Sequence, residues 1–163
     1  MGGVVEVVDL GELVEEALKL HQAGFSRHGV EIVREFEPVE PVSIDKHKVL
    51  QILINLISNA QHAVKDSDET DKRITLRIAG TSDDSVRIEV QDNGTGISPE
   101  NLTKIFSHGF STKKDGHGFG LHSSALAAKE LGGSLSVHSD GPGQGARFSL
   151  NLNSHVNEVV TCT

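Results

Sequence analysis

The chain has no tryptophan, no tyrosine and one cysteine, Cys162, next to its C-terminal residue. A lone cysteine excludes an internal disulfide framework and fits a reducing compartment. Basic charge is also scarce: 15 Lys and Arg face 23 Asp and Glu, for a net charge of −8. Neutralising phosphates requires a basic surface, so a nucleic-acid partner is not expected. No apolar run is long enough to span a bilayer, and direct membrane insertion of the domain is not expected. The opening MGGVVEVVDL lacks a charged segment followed by an apolar run, so no secretory leader is expected. Glu6 stands where a myristoylation signal would carry Ser or Thr. What remains is 163 residues with 36% hydrophobic content, enough for one domain with a buried core. The expectation is a cytoplasmic domain over residues 1–152, followed by a patternless tail over 153–163.

Local patterns divide that domain into elements. Val4–Val8 reads as a short strand, and Asp9 as the cap of a helix over 11–27 with an apolar stripe at Leu13, Ala17, Leu18 and Leu20. Val30, Ile32 and Phe36 suggest a strand stopped by Pro38 and Pro41. Asp45 caps the longest expected helix, 46–65, whose apolar face carries Val49, Leu53, Leu56, Ile57, Ala60 and Val64. RITLRI (73–78) and SVRIEV (85–90) alternate with period two, as a hairpin or meander does. Ser98 and Pro99 open a short helix near 98–105, and residues 107–117 read as a loop. A helix over 119–131 stops at Gly132-Gly133, and SLSVHS and ARFSLNL close the domain as strands. This order predicts an α+β sandwich: a mixed, mostly antiparallel sheet with helices over one face.

Four stretches carry residue types suited to chemistry. In the long helix, Asn55 and Asn59 are four apart and share a face, with Gln51 and His62 extending it. Two amides on an otherwise apolar helix are either its solvated side or contacts for a hard cation or phosphate. DNGTGI (92–97) is either an Asx-type turn or a backbone that something must approach closely, with Asp92 accepting from a donor. FSHGFSTKKDG (106–116) offers Phe106 and Phe110 as apolar anchors and Ser111, Thr112, Lys113 and Lys114 as donors and positive charge. GHGFGLH (116–122) opens a helix with the glycines and backbone N–H groups of an anion site. It is not a Walker A loop, since no Gly-Lys-Ser/Thr occurs, and no βαβ unit surrounds it.

Taken in order, the helix with N-x-x-x-N-A, D-x-G-x-G, F…FSTKK and G-x-G-x-G-L resemble the N, G1, F and G2 boxes of the GHKL superfamily. QILINLISNAQHAV, DNGTGI, IFSHGFSTKKDGHGFGLHSSALAAKELGG and GARFSL are most similar to the catalytic, ATP-binding domain of bacterial sensor histidine kinases. VVDLGELVEEALKL resembles the start of that domain, and the resemblance covers roughly residues 5–152.

The resemblance implies a Bergerat-type α/β sandwich holding ATP and Mg²⁺ between helices and a lid. Asp92 would accept from the adenine amine, with Gly94, Gly96 and Ile97 against the ring. Asn59 would bind Mg²⁺ through its amide oxygen, with Asn55 beside it. Lys113 or Lys114 would reach the terminal phosphate. Phe106, Thr112, Gly116, His117, Gly118, Phe119, Gly120 and Leu121 would complete the nucleotide site, the glycines presenting backbone donors to phosphate. His108 and His117 would lie in the lid, either solvated or touching phosphate.

ATP-hydrolysing members of the superfamily place a Glu four residues before the metal-binding Asn. Here that residue is Asn55, which has no basic group near neutral pH, so transfer to another side chain is favoured over hydrolysis. The family's phosphoacceptor His usually precedes an acidic residue. His21, His28, His47, His62, His108, His117, His122, His138 and His155 precede Gln, Gly, Lys, Ala, Gly, Gly, Ser, Ser and Val. The expected partner is therefore a separate dimerisation and phosphoacceptor domain of a parent kinase, and through it a response regulator. Membrane attachment of that parent is left open. Two alternatives share the fold: a nucleotide-binding module acting through partner contacts, and a serine kinase of the anti-sigma-factor type.

Overall fold

The architecture comes from a computed structural model that describes residues 4–81, 85–107 and 119–153. Two sheets form. Strand β1 (Val5–Val8) pairs antiparallel with β3 (Val42–Asp45) as a two-stranded ribbon. The main sheet has the order β2-β4-β5-β7-β6, from β2 (Glu31–Phe36), β4 (Arg73–Gly80), β5 (Ser85–Asp92), β7 (Ala146–Asn153) and β6 (Ser134–His138). The β2–β4 pair is parallel and the other three are antiparallel. The expected mixed, mostly antiparallel α+β sandwich is the fold observed.

Period-two alternation decides which side of the sheet is buried. Ile74, Leu76 and Ile78 of β4, Val86, Ile88 and Val90 of β5 and Phe148, Leu150 and Leu152 of β7 all face the core. Against them lies α3 (Lys46–Lys65), whose Val49, Leu53, Leu56, Ile57, Ala60 and Val64 are buried as its apolar stripe predicts. The other face carries charge. Arg77 pairs with Glu35 at 2.7 Å and with Glu89 at 3.6 Å, and it also donates to Gln91.

The caps read from the sequence are present. Asp9 accepts from Glu12 N at 3.1 Å, and Ser98 from Asn101 N at 3.3 Å. Asp45 accepts from Lys48 N at 3.1 Å. Asp45→Ala is expected to cost about 1 kcal/mol, read as a lower denaturant midpoint at unchanged slope.

Three boundaries differ from expectation. The helix expected over 11–27 is two: α1 (Leu10–Lys19) and α2 (Gln22–His28). At the break, His21 Nδ1 donates to Ala17 O at 3.1 Å, the carbonyl that a continuous helix would give to the His21 N–H. That N–H turns to Leu18 O at 3.0 Å instead, and the redirected chain buries Phe25. Strand β3 is an addition to the sequence reading: four residues after two prolines carry too short a pattern. Helix α4 (Pro99–Leu102) ends before 105, where i→i+3 bonds from Lys104 N to Asn101 O and Ser107 N to Lys104 O tighten the chain. The last helix, α5 (Phe119–Glu130), stops two residues before Gly132, whose φ is 80°. The tail beyond Asn153 and residues 108–117 of the loop expected over 107–117 lie outside the described residues.

Candidate functional site

Strand β5 ends at Asp92, whose neighbours in the sheet are Ile74 and Ala146. Asp92 is 5% exposed, and its Oδ1 accepts from Gly94 N at 2.8 Å. Burial pushes its pKa up to about 6, while the Gly94 and Ala146 backbone N–H groups pull the other way. A carboxylate so buried is costly, and sites with such groups are candidates for function.

The two glycines after Asp92 are required by the protein's own backbone. A Cβ on Gly94 would overlap the Ala63 carbonyl in the last turns of α3. The same approach lets Thr95 N donate to Ala63 O at 3.2 Å. Gly96 has φ 72°, and a Cβ there would overlap Gly141 O. Bonds from Gly143 N to Thr95 O (2.7 Å), Gly145 N to Gly94 O (3.2 Å) and Ile97 N to Ser139 Oγ (3.0 Å) fasten the segment to the β6–β7 turn. The close approach inferred from DNGTGI is real, and the atoms that make it are those of α3 and of this turn.

Asn55, Asn59 and Ala63 follow one another along α3 at i, i+4 and i+8, about 12 Å of helix axis. At one end of this line, Ala63 meets Gly94 and Thr95. At the other, Asn55 Nδ2 donates to Ser124 Oγ at 3.0 Å and to Gly120 O at 3.4 Å, both on α5. A carbonyl only accepts, so it is the Asn55 NH₂ that donates to Gly120 O. Both Asn55 and Asn59 are half-buried. Gly120 and Leu121 stand in the first turn of α5, and Ile97, Phe106 and Leu121 pack in part against the core. Phe106 meets Phe148 edge to face, with centroids 6.5 Å apart.

Of the expected site residues, Asn55 and Asn59 share one face of α3, Gly120 meets it at Asn55 and Gly94, bonded to Asp92, meets it at Ala63, while Gly96 packs on the β6–β7 turn. The backbone of Phe119 opens α5. Thr112, Lys113, Lys114, Gly116, His117 and Gly118 lie outside the described residues. Three contributors carry no site signal in the sequence. Ser124 is buried and holds Asn55, His122 Nδ1 donates to Phe106 O at 3.0 Å, and Ser139 Oγ donates to Gly145 O at 2.6 Å. Ser124 sits five residues into a helix, where a serine has no motif of its own; only its partner reveals it.

The fold is thus a sandwich whose sheet is closed on one face by helices, with a buried carboxylate at a strand end and amides along the facing helix. The family described as histidine kinase-, DNA gyrase B- and HSP90-like ATPase matches residues 44–155, and the chain belongs to it. It is 32% identical over 146 residues to the sensor histidine kinase ZraS of Klebsiella oxytoca, a match covering 89% of this chain and 30% of that protein. It is 33% identical over 156 residues to the signal transduction histidine-protein kinase AtoS of Escherichia coli, covering 94% and 25%. The chain therefore spans about a third or less of the length of these relatives. Among solved structures, full-length ShkA in complex with AMPPNP superposes with a TM-score of 0.81 at 25% identity, over 93% of this chain and 31% of that one. The catalytic domain of the histidine kinase ThkA superposes with a TM-score of 0.80 at 24% identity, over 92% and 95%, a likeness of fold. Among the described residues, no helix is long and apolar enough to cross a membrane.

Proposed function

We propose that the chain is the Mg²⁺-ATP-binding catalytic domain of a cytoplasmic kinase module that transfers the γ-phosphoryl group to a histidine on a separate dimerisation and phosphoacceptor domain. The observation that carries this reading is the buried Asp92 carboxylate at one end of the line of amides on α3. Asp92 accepts from the adenine amine, which fixes the base, and Ile97 and Phe106 supply apolar contact. The phosphates then extend along Asn59 and Asn55 towards the start of α5, where Gly116, Gly118 and Gly120 present N–H groups. Thr112, Lys113, Lys114 and His117 supply donors and charge from the lid.

The donor set suits magnesium. Among the described residues no cluster of three or more His, Cys, Asp or Glu forms a cage for a metal. Magnesium in nucleotide sites takes few protein ligands and completes its shell with phosphate oxygens and water, so the Asn59 amide oxygen would hold it, with Asn55 adjacent. The ion would supply charge neutralisation on the phosphates.

The reaction breaks the bond from Pγ to the β,γ-bridging oxygen and forms a bond from Pγ to an imidazole nitrogen, with ADP leaving. This chain's part is positioning and charge stabilisation. Asn55 is neutral and its NH₂ is committed to Ser124 and Gly120, so no side chain here is suited to activating water at that position. This supports transfer over hydrolysis.

The test supplies γ-labelled ATP and the acceptor hairpin of the parent kinase in trans. Acid-labile label on histidine is expected, and stable label on Ser or Thr would sink the proposal in favour of the serine-kinase branch. Binding carries a second expectation. Only ionised Asp92 accepts fully from the amine, so ADP affinity is level above pH 7. Below about pH 6 it weakens by up to about tenfold per unit, since a factor of ten accompanies each unit. Calorimetric titration from pH 5 to 8 checks this; a level profile would refute the Asp92 contact.

A further inference from the structure

One lysine outside the nucleotide site is fully engaged. Lys72, immediately before β4, is half-buried and turns its ammonium onto three backbone carbonyls. Val64 O lies at 2.8 Å, Glu69 O at 3.1 Å and Ser67 O at 3.2 Å. An ammonium has three donors and no acceptor, so this set is complete. Val64 belongs to the last turn of α3, where the carbonyls have no partner within the helix and a cation meets the negative end of the helix dipole.

The residues on either side of Lys72 hold the other end of the connection. Arg73 N donates to Asn93 Oδ1 at 2.9 Å, Asn93 N donates to Arg73 O at 3.3 Å, and Asn93 Nδ2 donates to Asp71 O. Two residues further on, Thr95 N returns to Ala63 O of α3 at 3.2 Å. The circuit closes: the C-terminus of α3, Lys72, its chain neighbours, Asn93, Thr95 and α3 again. Asp92 adjoins Asn93 within it.

We propose that Lys72 is a positioning residue for the nucleotide site, its ammonium clamping the C-terminus of α3 to residues 71–73 and so setting the Asp92–Gly96 segment against the helix face that bears Asn55 and Asn59. This rests on the reading of Asp92 as the adenine contact. Lys72 touches no nucleotide atom; it acts through Asn93. Its effect is therefore confined to the base end of the ligand, because Asn55, Ser124 and Gly120 hold the phosphate end through bonds of their own.

The test uses two ligands, ADP and the diphosphate of purine riboside, which lacks the 6-amine. Both are titrated by calorimetry against wild type and Lys72→Met, with thermal midpoints recorded for each protein. Wild type prefers ADP. Lys72→Met is expected to bind ADP about five- to tenfold more weakly and the analogue within about twofold of wild type, so that the preference collapses. Equal weakening of both ligands, or a preference kept at the wild-type ratio, overturns the clamp alone. No preference in wild type overturns the adenine reading and the clamp with it. Should Lys72→Met not fold, Lys72→Gln keeps one amide donor for the carbonyls, and the same comparison decides.

Discussion

Asp92→Asn is expected to make the protein more stable at neutral pH while removing most of its nucleotide affinity. The folded carboxyl has its pKa pushed from 3.8 up to about 6, chiefly by burial. A carboxyl raised in this way favours the fold in its protonated form. That contribution is present in full below pH 3.8 and is lost as the pH rises through about 6. Above that window the buried charge costs on the order of 2–3 kcal/mol, the worth of a two-unit shift. Asparagine carries no charge and keeps an oxygen for the Gly94 N–H, so part of this returns; its NH₂, needing an acceptor, withholds the rest. Denaturant midpoints at pH 7.5 and pH 5 check the sign. The variant's advantage should be largest at pH 7.5 and shrink by pH 5, where wild-type Asp92 is mostly protonated. A variant less stable than wild type at pH 7.5 would show that burial is not the dominant influence on this carboxyl.

The affinity change has a separate cause. On the proposed adenine contact, with Gly94 N–H holding the side-chain oxygen, the asparagine NH₂ would face the adenine amine, a donor against a donor. A mismatched buried hydrogen bond costs on the order of 2 kcal/mol or more, about thirtyfold in Kd. ADP binding as tight as wild type would remove the adenine contact from Asp92. Stability and function thus pull this residue in opposite directions, as they do where a site retains a costly buried group.

Gly94→Ala is the second large effect, and it needs no ligand. The new methyl group would overlap Ala63 and stand 2.7 Å from Val64 N, backbone atoms held by the hydrogen bonds of α3. Neither can shift without opening the helix, so the 92–97 segment must lift instead. Lifting breaks the bonds from Thr95 N to Ala63 O and from Gly145 N to Gly94 O. Overpacking of this kind costs about 2–3 kcal/mol, which for a domain of this size lowers Tm by about 5–10 °C. Calorimetric melting reads the loss, and ADP titration well below Tm should show weakened binding because Asp92 moves with the segment. A variant melting with wild type would mean that the segment and the helix are not in contact. Gly96→Ala would add backbone strain to overlap, since Gly96 has φ 72°; Gly94→Ala isolates the packing cause.

Much of the fold was legible because its signals are local. The expected helix over 46–65 is α3 end to end, since its cap, Asp45, and its apolar stripe both lie within it. The hairpin of β4 and β5 followed from alternation alone. The order of the four boxes pointed to the ATPase family that residues 44–155 match. Where local signals were weak or contested, the reading failed. His21 takes the Ala17 carbonyl and divides one expected helix into two. The four residues of β3 become a strand only because β1 lies beside them.

The sequence by itself determined the α+β class, the long capped helix with its paired amides, and the strand ending at Asp92 and two glycines. Tertiary structure alone decided why those glycines stand there, what Asn55 holds and which carbonyls Lys72 meets. The reason is distance along the chain. Periodicity and capping operate over three or four residues, whereas Asn55 meets Ser124 across 69 and Asn93 meets Arg73 across 20. Bonds of that kind exist only once the sheet and α3 have packed, and no local pattern records them.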